Sequence, residues 1–405
     1  MTDVRPFRAL HYDPAVIPDV VAPPYDVIDA EQRERLEARS PHNVVEIDLP
    51  QGEDPYGHAA TTFARWRAED VLRRDPEPAF WVLTQDYTGP DGRAYTRSGF
   101  FARVRVEEYG PGRIRPHERT HPGPKEDRLN LTRATRANLS PIFVLHDGPM
   151  PVAVPDEAPL AEVTDDDGTV HRLWRVATAE GFDVGELLIA DGHHRYETAR
   201  VYADEVGGEG PHRYVLACLV SLEDPGLTVF PTHRLLTDLW DTERQQALRD
   251  TLLRDWEVER IATEDLEPTP DGGAVQLGYI DSHHRQAFRV RLKDPATADA
   301  ALPEASAAYR ALDTAVLEAL ILKGPLGMSE DDISHFNGLD YSRSCAEARE
   351  RIESGEVAAG FFMGATPVAQ IRGVAAAGEV MPPKSTYFFP KVLTGLVFNR
   401  LDAGK

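Results

Sequence analysis

The nine residues Leu187-Leu188-Ile189-Ala190-Asp191-Gly192-His193-His194-Arg195 constrain this chain more than any other segment. An apolar run of strand length meets Asp-Gly and then a polar periodic stretch, a pattern that predicts a strand over 186–190 turning at once into a helix over about 193–206. The first turn of such a helix carries amides without intrahelical partners and the positive end of the helix dipole, so it is suited to an anion. Gly192 permits close backbone approach, while His193, His194 and Arg195 add donors, Arg195 in the fork geometry that suits a phosphate. Asp191 is open to three readings: N-cap, magnesium ligand or base. The plainer alternative is a capped helix with surface histidines.

A formal net charge of −23 sharpens the question, because a phosphate-bearing ligand meets an average field that repels it and needs a local cationic pocket. The same balance disfavours extended contact with duplex DNA. Lysine is scarce in this arginine-rich chain, yet Lys384 and Lys391 fall within eight residues, with Ser385 and Thr386 between them. Lys125, Arg128, His233 and Arg234 complete the candidate cations outside the 193–195 run.

His117-Glu118-Arg119-Thr120-His121 matches the H-E-x-x-H pattern of zinc peptidases. That pattern needs a helix to bring both histidines to one face, and Pro116 before it with Pro122-Gly123-Pro124 after it denies one, so zinc is rejected here. The long polar loop instead offers His117, Glu118, Lys125, Asp127 and Arg128 as a set of acid, base and cationic groups. Asp26 is presented from the stiff turn that follows Pro23-Pro24.

Elsewhere the patterning predicts a helix over 29–38 capped by Asp29, a buried strand over 43–49, a helix over 56–73, and a hairpin from 80–87 and 98–106. A helix over 127–138 and strands over 141–145, 170–177 and 213–222 follow. In the C-terminal part, strands are expected over 358–363 and 368–371 and a closing helix near 401. The composition shift at 263–275 predicts two regions, 1–262 for phosphate or nucleotide binding and catalysis and 263–405 as an α+β unit completing the pocket. Cys218 sits in an apolar run and reads as a buried free thiol. No leader pattern or 18-residue apolar stretch is present, which points to a cytoplasmic protein without membrane contact.

Val21-Ala22-Pro23-Pro24-Tyr25-Asp26-Val27, His117-Glu118 through Asp127-Arg128, Ala190 to Tyr196, Pro231-Thr232-His233-Arg234 and Met381 to Leu396 occur in one order. In that order, over essentially the whole length, the chain resembles the bacterial and archaeal family catalogued as domain of unknown function 1015. Its Asp191-Gly192-His193-His194-Arg195 is similar to the phosphate-binding motif of the ParB and sulfiredoxin superfold, which includes kinases acting on free serine. The resemblance implies an α/β fold with a mixed sheet, a ParB/sulfiredoxin-like N-terminal region and a C-terminal α+β unit. It further implies phosphoryl transfer from ATP or ADP, with Mg²⁺, to a hydroxyl such as that of L-serine.

The five motif residues match one by one, with Asp191 and His193 in catalytic roles, Asp191 also as the magnesium ligand, and Gly192, His194 and Arg195 on phosphate. Lys125 and Arg128 would neutralise charge. The kinase's acidic base has no alignable position: Glu118 is the first choice and Asp26 the second. His117, Asp127, His233, Arg234, Lys384 and Lys391 are secondary. A nucleotide or phosphometabolite sensor without turnover and a phosphoester hydrolase are the alternatives. The expected partner is a small molecule, without nucleic acid, and a homodimer is allowed.

Overall fold

Runs of buried β-branched and aromatic residues build the larger of two main sheets. In the computed structural model, which describes residues 1–89, 92–118, 122–269 and 273–402, ten strands compose it: β1 (Thr2–Arg5), β2 (Ala79–Thr88), β3 (Ala94–Arg105), β4 (Ile114–Arg115), β5 (Ile142–His146), β6 (Ala161–Thr164), β7 (Val170–Ala177), β8 (Phe182–Val184), β9 (Leu187–Asp191) and β10 (Tyr214–Ser221). The spatial order is β4-β9-β5-β10-β3-β2-β7-β6, with β1 beside β3 and β8 beside β1. β9 runs parallel to β4, and β10 parallel to β5. The β9–β5, β10–β3, β3–β2, β2–β7 and β7–β6 pairs are antiparallel. Every residue of β10 is buried, as a strand covered on both faces requires.

Helices α1 (Ala30–Arg39), α2 (Pro55–Ala68), α3 (Pro122–Thr135) and α4 (His193–Val206) belong to the same unit. Asp29 caps α1 through the Gln32 amide at 2.7 Å and Asp54 caps α2 through the Gly57 amide at 3.0 Å, each satisfying an amide that the helix itself leaves over. α4 lays Tyr196 and Ala199 onto Ile142, Val144, Leu187, Ile189 and Ala217 of the sheet. That packing fixes the position of its first turn.

The second unit is built on a six-stranded antiparallel sheet: β11 (His233–Leu236), β12 (Trp256–Arg260), β13 (Gln276–Asp281), β14 (Phe288–Leu292), β15 (Leu339–Ser342) and β16 (Ala359–Phe362), in the order β12-β14-β13-β16-β11-β15. Helix α5 (Thr242–Asp255) buries Leu248 and Leu252 against Trp256, Val290 and Phe361, and α6 (Cys345–Glu353) buries Ala348 and Ile352 beside Leu235 and Phe362.

The protein is thus mixed α/β, as expected, but it divides elsewhere than at residue 263. The first unit takes the described parts of Met1–Pro116, Thr120–Thr228 and Pro390–Lys405; the second takes those of His117–Arg119 and Val229–Phe389. Strand pairing explains the difference. β11 and β12 precede residue 263 yet pair with β15, β16 and β14, while Asn399–Arg400 pairs with Ala137–Asn138 in the first unit.

Three local expectations are corrected. Residues 45–48 form a helical turn, with the Asn43 carboxamide accepting the Val45 amide at 3.1 Å, so local capping overrides the β propensity of Val44, Val45 and Ile47. Residues 368–376 are helical, and the last residues end in the short strand 399–400 where a closing helix was expected. Pro90 and Asp91 of the hairpin connector and Arg119, Thr120 and His121 of the H-E-x-x-H segment lie outside the described residues. Both cysteines are free, and burial pushes the Cys218 thiol up to about 12. Among the described residues no helix is long and apolar enough to cross a membrane.

Gly278 on β13 tests the second sheet's packing, because a Cβ there would come within 1.9 Å of the Leu266 carbonyl oxygen. Gly278→Ala is expected to cost about 1–3 kcal/mol, as overpacking a tight site does, and chemical denaturation reads it.

Candidate functional site

β9 delivers Asp191 through an irregularity. Ile189 pairs with Val144, but Asp191 pairs with Phe143, so Ala190 is the extra residue of a bulge that re-aims the strand's last side chain. Gly192 then takes φ +89°, and α4 starts at His193 with no side-chain cap. The capping reading of Asp191 is therefore corrected: the cap position belongs to Gly192. Only glycine suits it, since a Cβ would lie 3.0 Å from both Arg195 Nε and Ile142 Cγ2 in a left-handed backbone conformation.

The carboxylate of Asp191 is held by two cations. Lys391 Nζ donates to Oδ1 at 2.6 Å and Arg195 Nη2 donates to Oδ2 at 2.6 Å. Burial by itself would raise the Asp191 pKa, but Lys391 and Arg195 outweigh it, with His193 adding to them, and hold the group well below the usual carboxylate range. Asp191 is consequently ionised and a poor proton acceptor near neutrality. It does not fit a magnesium ligand either, because each of its oxygens already faces a cationic donor.

Arg195 is equally committed. Its Nη1 donates to Ser140 Oγ at 2.7 Å and to the Pro141 carbonyl, and its Nη2 to Asp191. The expected bidentate phosphate fork is thus corrected to a guanidinium that braces the motif from inside. His193 is buried and His194 half-buried in the first turn of α4.

Around this centre the first unit places a second charged group. Arg128 donates Nε to Asp127 Oδ2 at 2.8 Å and Nη1 to the Asp48 carbonyl at 2.6 Å, and it lies 4.1 Å from the Tyr25 ring centre. Asp48 is fully buried, and burial pushes its carboxyl up despite Arg128; its Oδ2 has no hydrogen-bond partner. A cavity of about 40 Å³ is lined by Asp48, Arg128, Asn138, Ser140, Arg195 and Thr198 among others. Lys125 pairs with Glu197 at 2.9 Å. Asp26 stands exposed in the turn after Pro24, and its charge acts on Arg195, Tyr25 and Asp48.

The remaining candidates lie in the second unit. His117 Nε2 meets Thr386 Oγ1 at 2.8 Å, and the His117 carbonyl accepts the Met381 amide at 2.7 Å. Glu118 Oε1 accepts the Lys384 amide at 2.9 Å, bracing a non-glycine residue at φ +58°. Arg234 is buried, with Nη1 on the Thr232 carbonyl at 2.5 Å and Nη2 on the Pro383 carbonyl at 3.3 Å. Glu118 and Arg234 therefore both hold the 381–386 turn.

His233, Glu267 and Cys345 bring their ligand-type atoms within 4.8 Å of one another. The Met363 amide donates to His233 Nδ1 at 3.2 Å, which leaves the neutral ring's proton on Nε2, facing Glu267 Oε2 at 3.6 Å. Burial keeps that ring neutral, its pKa lowered to about 4. The set faces inward with a proton where a metal would need a lone pair.

Sequence patterning identified Asp191, Gly192, Arg195 and Lys391 but missed Tyr25, Asp48 and Ser140. The one available signal for Asp48 was its place just before Leu49-Pro50, which also suits an ordinary strand end.

Two outcomes follow from the Asp191 geometry. Asp191→Asn leaves Lys391 and Arg195 facing an amide, so at neutral pH the variant should lose about 3–5 kcal/mol of stability, as broken buried pairs do. The parent's advantage is present above the ordinary carboxylate value of 3.8 and disappears as pH falls below it toward the depressed value, so the two acid-unfolding curves should converge there. Gly192→Ala should cost at least about 1–2 kcal/mol from backbone conformation alone, measured by denaturant titration.

No curated protein matches the chain. Among solved structures it is similar to a free serine kinase in complex with AMP, at 18% identity over 70% of this chain and 88% of that one, TM-score 0.37. It is also similar to a conserved hypothetical protein from Pyrococcus furiosus, at 17% identity over 70% and 92%, TM-score 0.36. A third likeness is to SbnI with C-terminal truncation from Staphylococcus aureus, at 12% identity over 73% and 85%, TM-score 0.38. The model of the family described as "Protein of unknown function (DUF1015)" matches residues 4–315, and the chain belongs to that family.

Proposed function

We propose that the first unit binds a phosphate-bearing small molecule at the start of α4 and that the protein is a phosphotransferase, moving a phosphoryl group from ATP or ADP to a small hydroxyl acceptor such as L-serine. One observation carries this reading: α4 begins at His193, just after Gly192, without a side-chain cap, while the neighbouring Asp191 is turned onto Lys391 and Arg195. Two cations against one carboxylate, added to the positive end of a 14-residue helix, supply the local field that a chain of net charge −23 lacks on average.

Within that reading the backbone of the first turn receives the phosphate, and Lys391 and Arg195 act through Asp191 to keep the turn in place. Phosphoryl transfer asks the protein mainly for positioning and charge neutralisation, so a rigid, pre-charged turn is an appropriate instrument. Asp26 is assigned as the group that accepts the hydroxyl proton: it is exposed, it stands on the stiff Pro23-Pro24 turn, and it lies within the field of Arg195. Glu118 is assigned instead to the Lys384 turn, whose amide its carboxylate accepts.

The test is phosphorus NMR of the purified chain with ATP or ADP, Mg²⁺ and a panel of hydroxyl compounds led by L-serine. A new phosphoester with consumed nucleotide is the expected outcome. Asp26→Asn should then lower turnover by about 10²–10⁴-fold, the usual scale for a lost general base, with nucleotide binding retained, whereas Glu118→Gln should stay near the parent rate. Nucleotide binding without any product would make the protein a sensor, and release of inorganic phosphate alone would make it a hydrolase.

A further inference from the structure

Asp191 is held by a lysine from the C-terminal segment, so whatever fixes that segment's backbone also fixes the lysine. We propose that Gln85 and Arg97 are positioning residues for Lys391, clamping the carbonyls of Pro390 and Lys391 so that the ammonium stays on Asp191. The consequence for phosphate binding rests on the function proposed above; the clamp itself does not.

The clamp is a row across three strands. His171 on β7, Gln85 on β2 and Arg97 on β3 are cross-strand neighbours by register. Gln85 Oε1 accepts Arg97 Nε at 3.0 Å and Nη2 at 2.5 Å, which fixes the orientation of the amide, since the reverse would set its NH₂ against a guanidinium. Gln85 Nε2 then donates to the Lys391 carbonyl at 3.0 Å and meets His171 Nδ1 at 3.2 Å. With Nδ1 accepting, the His171 proton lies on Nε2 and points at Asp165 Oδ2, 2.8 Å away. Arg97 Nη2 also donates to the Pro390 carbonyl. The proton count closes along the row, from Asp165 to the backbone that carries Lys391.

Arg97 is the charged member of the row. Its guanidinium is completely buried, these hydrogen bonds go to neutral oxygens, and it lies 4.6 Å from the Phe143 ring centre. Burial lowers it to about 10, so it remains charged near neutrality. Burying a guanidinium costs solvation that its hydrogen bonds have to offset. What it does supply is direction: it holds the Pro390 carbonyl itself and orients Gln85, whose Nε2 holds the Lys391 carbonyl.

The experiment is competitive acetylation of the ligand-free full chain with acetic anhydride, with rates followed at each lysine by peptide mass spectrometry, for the parent, Gln85→Leu and Gln85→Glu. In Gln85→Leu the Lys391 rate should rise about tenfold, the scale of a lost partly buried ion pair, while Lys125 and Lys323, which are also paired, stay unchanged. Gln85→Glu keeps an acceptor for Arg97 but sets a carboxylate oxygen where Nε2 donated to the Lys391 carbonyl, so the Lys391 rate should rise there as well. If Gln85→Leu does not fold, His171→Leu removes the outer anchor and should raise the Lys391 rate about threefold, a weaker uncoupling of the same kind. An unchanged Lys391 in a folded variant overturns the proposal, and so does a uniform rise at all paired lysines, which would mean general loosening. Should Lys391 respond while ADP binds neither parent nor variant, the clamp stands and the nucleotide reading of the site falls.

Discussion

The first unit turns on one carboxylate. Burying Asp191 at the end of a strand is costly unless its charge is met, and here it is met twice, by Arg195 one helical turn later and by Lys391 from the end of the chain. Those two contacts decide the local structure. They hold the side chain on Arg195 and Lys391 and not on the first amides of the helix, leave the capping position to Gly192, and make the C-terminal segment part of the strand-to-helix junction.

Charge distribution follows from the same arrangement. The chain is strongly acidic overall, and many of its ion pairs lie at the surface, where they contribute little. Two clusters lie at low exposure: Asp191, Arg195 and Lys391 in one, and Asp48 with Arg128 in another. Arg195 and Arg128 line one cavity, so the clusters share a wall. Their donors are turned inward, which separates the residues that shape the turn from the backbone that would meet a ligand. In the second unit the polar groups of the 117–118 and 381–386 segments likewise serve one another, and the strained Lys384 backbone is held by Glu118.

The parts of this design that the sequence announces are those written in consecutive residues. An apolar strand, an Asp-Gly turn and a helix start can be read from Leu187 to Arg195 because period and turn chemistry change within a few positions. Lys391 was noticeable through the scarcity of lysine. Gln85, Arg97, His171 and Asp48 were not, since their meaning lies in partners 12 to 306 positions away, brought together only by the tertiary fold. Residues 45–48 and 368–376 misled for a different reason: both are short apolar stretches, in which capping by Asn43 or tertiary packing outweighs the propensity of the residues themselves. The division into units was obscured because β11 and β12 join strands that come much later in the chain.

The central claim is that the amides opening α4 are the place where an anion binds. Selective labelling with ¹⁵N-glycine, with Gly192 assigned by substitution, examines that backbone directly during titration with ADP or inorganic phosphate. The account predicts a saturable shift of the Gly192 amide, with the Gly278 amide of the second unit unmoved. A Gly192 signal that stays in place while the protein saturates with nucleotide would contradict it.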